Sequence, residues 1–135
     1  NRLIMRIFDP RYITGVAEWG GSFTYLGYKG GVTVCFVMKS STTDLDLLLK
    51  IREFFGVGKI YRGGRGRQKW VYFRVNKLGE LIKIVSHFEH YPLQGFKQHA
   101  FEIWKEMVNC KRRKLPHDRA KIQELAQKLS RLNSG

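Results

Sequence analysis

Hydrophobic and polar positions divide this 135-residue chain into stretches with two different periods. Asp9-Pro10 is a helix-start pair, since Asp can accept from the first free amides and Pro is tolerated at the first helical position. Tyr12, Ile13, Val16 and Trp19 then recur at helical spacing. Gly20-Gly21 predict the stop, because glycine readily takes the left-handed closing conformation. From Ser22 the period shortens: SFTYLGYK and VTVCFVMK flank Gly30-Gly31 and predict a hairpin. Thr43-Asp44-Leu45-Asp46 has the form of a capping box with Asp in the last place, opening a helix in LDLLLKIREFF that Gly56 closes. KIYR and KWVYFRV flank GGRGRQ as a second hairpin. In its later run Val71, Phe73 and Val75 alternate with Trp70, Tyr72 and Arg74, so one set faces a core and the other faces out.

Three more helical patterns follow. Asn76 is placed to cap a helix with Leu78, Leu81, Ile82, Val85 and Phe88, which Tyr91-Pro92 must close. A helix from about Lys97 buries Phe101, Trp104, Met107 and Val108, and Asp118 is placed to cap a last helix striped by Ile122, Leu125, Leu129 and Leu132. The order α-β-β-α-β-β-α-α-α has hairpins but no parallel crossovers. It predicts an α+β fold with an antiparallel sheet, helices on one face, and a C-terminal helix added. Residues 1–110 form the main domain; residues 111–135 are a basic joint, KRRK, and a helical extension. The extension's leucine stripe serves either its own core or a docking face.

Charge changes the picture. Against 25 Lys and Arg stand 11 Asp and Glu, a formal net charge of +14 with a pI near 10.1. Such a field concentrates polyanions, and nucleic acid is the commonest of them. A membrane is not the expected partner, since no apolar run approaches the roughly 20 residues that span a bilayer. Cys35 and Cys110 sit apart, without metal-binding spacing, and are expected as reduced thiols. His87 and His90 share a helical face, but a zinc site needs further ligands, so no metal is expected. Gly63-Gly64-Arg65-Gly66-Arg67 lacks the Lys-Ser/Thr ending of a nucleotide loop, and no cofactor is expected. It reads instead as a hairpin tip for phosphate, where glycine lets backbone approach and arginine forks onto oxygen.

FDPRYITGVAEWGGSF resembles the signature segment of LAGLIDADG homing endonucleases, and LLLKIREFFGVGKIY and HFEHYPLQGFKQHAFEIWKEMV resemble later segments of that family. The resemblance covers roughly residues 8–110. It implies a saddle-shaped antiparallel sheet lying on a nucleic-acid duplex, with the signature helix packed on a second copy or repeat. In active members the penultimate signature position is an acid that holds a divalent metal for phosphodiester cleavage. Here that position is Gly20, and no catalytic residue is assigned. Glu18 lies two residues earlier, about 200° around the helix, and the resemblance gives it a structural role. A basic residue expected after Pro-Leu aligns with Phe96, with Lys97 adjacent, and a strand-end Gln is replaced by Lys39. Trp19 stands where a small residue lets two signature helices approach, which argues against a symmetric homodimer; the plainer role for it is a core aromatic.

The resulting expectation is a nuclease-inactive RNA-binding protein, a structural component of a mitochondrial ribosome with rRNA and ribosomal proteins as partners. The alternatives are a DNA endonuclease subunit or an intron RNA maturase, and a chloroplast or other intracellular compartment in place of the mitochondrion. The expected nucleic-acid contacts are Lys29, Lys39, Arg62, Arg65, Arg67, Lys69, Trp70, Tyr72, Arg74, Lys97, Lys111, Arg112 and Arg113.

Overall fold

The computed structural model describes residues 9–134, so Phe8 of the lead segment lies outside the described residues. Helix α1 (Pro10–Gly20) runs straight into β1 (Gly21–Tyr28), which turns back as β2 (Gly31–Ser41). A short 3-10 turn (Thr42–Asp44) leads to α2 (Leu45–Phe55), followed by β3 (Lys59–Arg65), β4 (Gln68–Val75), α3 (Leu78–His90), α4 (Phe96–Arg113) and α5 (Asp118–Ser134). The strands form one antiparallel sheet in the order β1-β2-β4-β3. Both the expected element order and the α+β class are found.

Strand alternation gives the sheet an inner face carrying Phe23, Val34, Phe36, Met38, Val71, Phe73 and Val75, all buried. Each of the five described helices contributes to the layer on that face, including Ile13 of α1, Ile51 of α2, Ile84 of α3 and Trp104 of α4. Phe23 is the hub. Its ring centroid lies 5.1 Å from Phe88, 5.2 Å from both Phe36 and Trp104, and 5.4 Å from Phe101. Edge-to-face aromatic contacts of this kind add specificity to area burial. The indole N–H of Trp104 is satisfied by the Cys35 carbonyl at 2.9 Å.

Helix α5 folds back on α4 and runs along the free edge of β1. Arg119 donates to Gly30 O at 2.7 Å, Tyr25 Oη and Ser130 Oγ lie 2.6 Å apart, and Asn133 donates to Phe23 O at 3.1 Å. Of its apolar stripe, Ile122, Leu125 and Leu129 are buried in the chain's own core and Leu132 packs against it half-buried. The bonds to Gly30 O and Phe23 O also shield an edge that would otherwise invite strand pairing.

Several local expectations are corrected. Gly21 closes α1 in extended backbone (φ −95°, ψ 154°), because the chain passes directly into β1. Asp44 makes no capping bond and instead accepts from Ser40 Oγ at 2.8 Å. Lys77, not Asn76, occupies the cap position of α3, without a side-chain bond. Asp118 lies inside α5, where its carboxylate takes Arg113 Nη2 at 2.9 Å and Leu115 N at 3.2 Å. Strands β3 and β4 extend into GGRGRQ, leaving a turn of only Gly66-Arg67. Gly56 closes α2 in the left-handed conformation (φ 72°), as expected. Among the described residues no helix is long and apolar enough to cross a membrane.

His87 ties α1 to α3 from within. Thr14 Oγ1 donates to Tyr91 O at 2.8 Å, which uses its one proton, so His87 Nε2, 3.0 Å away, must be the donor to Thr14. The imidazole therefore carries a proton on Nε2. Burial, reinforced by nearby His90, pushes its pKa down from 6.5 to about 4. Because the unfolded chain binds this proton more readily, the contribution is complete above about pH 6.5 and is lost as pH falls through about pH 4, on the order of 3 kcal/mol in all. Urea midpoints measured across that window should fall for the natural chain and fall less for His87→Phe.

Candidate nucleic-acid interface

Among the described residues, the sheet's other face carries no helix. Register places Val37, Arg74 and Lys59 in one row across it, Lys39, Tyr72 and Tyr61 in the next, and Ser41 and Trp70 beyond. Lys39 Nζ sits 4.5 Å from the Trp70 ring centroid and 5.7 Å from that of Tyr72, and the Arg74 guanidinium lies 5.2 Å from Tyr61. Trp70 and Tyr72 meet edge-on at 6.3 Å. The Trp/Tyr/Arg row thus exists and is half-buried, with cations already held against its rings. A base stacking on Trp70 must displace the Lys39 ammonium if it enters from that side. Arg74 Nε is buried and has no acceptor among the described residues. Cys35, also on this face, is buried, and burial pushes its thiol up to about 11 against the opposing pull of Arg74. It is a neutral thiol, not a nucleophile.

At the end of α1 the sheet face meets the start of α4. Lys97 Nζ donates to Ala17 O at 3.2 Å, so the ammonium stands at the C-terminal end of the signature helix. Burial pushes its pKa below the ordinary lysine range, and the Glu18 carboxylate opposes the shift. Phe96, Lys97, Lys39, Tyr72 and Ser22 line one depression beside Gly21. The structure therefore supplies a basic group here through Lys97, despite its alignment one place late. Glu18 turns away: Oε1 accepts from Gln94 N at 2.7 Å and Oε2 from Gly95 N at 3.2 Å.

Two glycines side by side differ in kind. A Cβ at Gly21 would lie 2.9 Å from Ala17 O, so glycine there is required by packing. A Cβ at Gly20 would meet nothing within 4 Å. The fold thus leaves room for an acid at position 20.

The other expected contacts are scattered. Arg62, Arg65, Arg67 and Lys69 surround the exposed β3–β4 hairpin, and Lys29 occupies the β1–β2 turn. Lys111, Arg112 and Arg113 end α4, which packs on the inner face, so they are remote from the Trp70 row. Arg113 is tied to Asp118. Trp19 is 91% exposed and is not a core aromatic. Tyr28 and Lys114, which were not among the expected contacts, line a cleft at the other end of β1.

Residues 13–108 match the family model described as LAGLIDADG endonuclease. The chain belongs to the LAGLIDADG endonuclease family. It is similar to a Podospora anserina protein described as an uncharacterized 50.9 kDa protein in ND4 intron 1, with 31% identity over 110 residues that cover 74% of this chain and 24% of that protein. It is also similar to the probable intron-encoded endonuclease 3 of Neurospora crassa, 30% identical over 105 residues covering 71% of this chain and 19% of that one. The LAGLIDADG chain therefore spans a quarter or less of the curated relatives it matches. Among solved structures, the homing endonuclease I-TnaI superposes with a TM-score of 0.81 at 22% identity, covering 94% of this chain and 95% of that one. The meganuclease I-CpaMI, bound to uncleaved DNA, superposes with a TM-score of 0.77 at 27% identity, covering 87% and 42%.

The family resemblance implies a divalent cation at the signature end, and this domain's own donors do not fit one. A hard cation needs anionic oxygen ligands. Position 20 offers no side chain, both Glu18 oxygens face the amides of Gln94 and Gly95, and the neighbouring ionisable groups Lys39 and Lys97 are cations. What the arrangement can hold is a phosphate. Gly20→Asp is expected to change folding stability by no more than about 1 kcal/mol, a helix-end charge effect. Gly21→Ala should cost roughly 1–3 kcal/mol through overpacking. Denaturant midpoints of the two variants test the contrast.

Proposed function

We propose that this LAGLIDADG domain grips nucleic acid through its bare sheet face and supplies no cleavage chemistry of its own. The observation that carries this reading is the signature end itself, where lysines remain and the acid position is a glycine the fold does not need. Binding draws on many phosphate contacts, each replaceable, whereas metal-assisted hydrolysis depends on one fixed oxygen ligand.

RNA is the ligand of this reading, in a mitochondrial ribonucleoprotein such as the ribosome. Three features support it: the +14 charge, the basic groups lying outside the sheet face, and relatives whose names place them in introns of fungal genes. A second reading, a DNA endonuclease or intron maturase whose acid comes from another domain, draws support from length. The chain spans 24% and 19% of those relatives.

Incubation with Mg²⁺ and a plasmid target library separates the two. The natural chain is expected to leave the DNA intact while retaining structured RNA, and Gly20→Asp is the variant expected to gain nicking. Scission by the unaltered chain would overturn the reading. If roughly six phosphates are contacted, RNA affinity drops on the order of a thousandfold between about 50 mM and about 200 mM salt. Co-sedimentation with ribosomal particles at high salt distinguishes a ribosomal component from a maturase.

A further inference from the structure

A cleft of about 380 Å³ lies between the Gly30–Gly31 turn and the joint of α4 with α5, at the opposite end of β1 from the signature glycines. Seven strand steps of about 3.3 Å separate them, roughly 23 Å. The cleft is lined from the helix layer by Leu78, Cys110 and Ile122, so a duplex lying on the bare sheet face does not occupy it. Its size falls in the range of about 300–1,000 Å³ that houses small ligands.

Three features give it a chemical character. Tyr28 lines it and is 56% exposed as a residue, and the ring lies over the turn: a Cβ at Gly31 would come within 2.8 Å of Tyr28 Oη. Lys111 and Lys114 line it too, and neither is ion-paired among the described residues. The one carboxylate in the lining, Asp118, is already matched by Arg113 at 2.9 Å. Lys114, finally, holds φ 57°, the left-handed conformation that closes α4. That position ordinarily takes glycine or asparagine, and a lysine there is strained. No hydrogen bond or ion pair of its side chain offsets the strain among the described residues.

We infer that this cleft receives one unstacked nucleotide of a single-stranded segment, its base against the Tyr28 ring and its phosphate between Lys111 and Lys114. An aromatic face takes any base, an apolar floor of Val32, Leu78 and Ile122 replaces the lost stacking partners, and paired lysines neutralise the backbone. The inference deepens the proposed function: one surface for a duplex and a separate seat for a flipped-out or loop nucleotide suit folded RNA, which presents both.

Fluorescence anisotropy with two labelled probes, oligouridylate of about ten nucleotides and a random-sequence RNA duplex, tests it. Tyr28→Ala should weaken oligouridylate binding about tenfold while Tyr28→Phe retains it, and neither should alter duplex binding. Lys114→Gly should raise the denaturation midpoint, by relieving the strained cap, and yet weaken oligouridylate. Three results overturn the inference: unchanged oligouridylate affinity in Tyr28→Ala or Lys114→Gly, an equal loss in Tyr28→Phe, or a matching loss for the duplex. Competition by uridine monophosphate as effective as by the oligomer would assign the cleft to a free nucleotide and overturn it as well. If the natural chain binds duplex but not oligouridylate, only this inference fails; if it binds neither, the proposed function fails too.

Discussion

One carboxylate organises the functional end of this molecule. Glu18 binds the main-chain amides of Gln94 and Gly95 and so fixes the last turn of α1 against the first turn of α4. That contact brings Lys97 over Ala17 O and gives the depression beside Gly21 its shape. It also removes an acid from the neighbourhood of the sheet face. An ionised side chain held by two N–H donors is stabilised where it is and costly to redirect. The same group that shapes the site is therefore unavailable to hold a cation in it.

Around that constraint, binding and cutting come apart physically. The bare sheet face keeps its cations against aromatic rings, Lys39 on Trp70 and Arg74 on Tyr61, and the Arg74 Nε is itself buried there. The helix layer beneath is sealed by the Phe23 aromatic cluster and by α5 along the β1 edge. A scaffold made this way has room for acid or glycine at position 20, because no neighbour among the described residues packs against it. A side chain gained or lost there leaves the fold undisturbed.

Much of this was legible along the chain because periodicity is a local property. The alternation in KWVYFRV fixed which face Val71, Phe73 and Val75 share, and the same logic gave the order of all nine helices and strands predicted among residues 10–134. The missing acid at Gly20 was legible by resemblance alone, yet its spatial freedom was not. Capping fared worse: Asp44 and Asp118 look like caps until Ser40 and Arg113 compete for their oxygens. The partners of Glu18 lie 76 and 77 residues away, beyond the reach of any spacing rule. Whether Phe96 or Lys97 faces the signature helix turned on one residue of register, which only the packed start of α4 decides. Tyr28 gave no signal, since its setting depends on α4 and α5 returning to the hairpin turn.

The three tryptophans occupy three environments: Trp104 is sealed, Trp70 half-covered, and Trp19 almost wholly in water at 91% exposure. Their emission is accordingly a composite, with a red-shifted component that belongs to Trp19. Anything that comes to lie along the signature helix must dehydrate that indole and draw its spectrum to the blue, so the chain carries its own optical gauge of whether that helix stands alone.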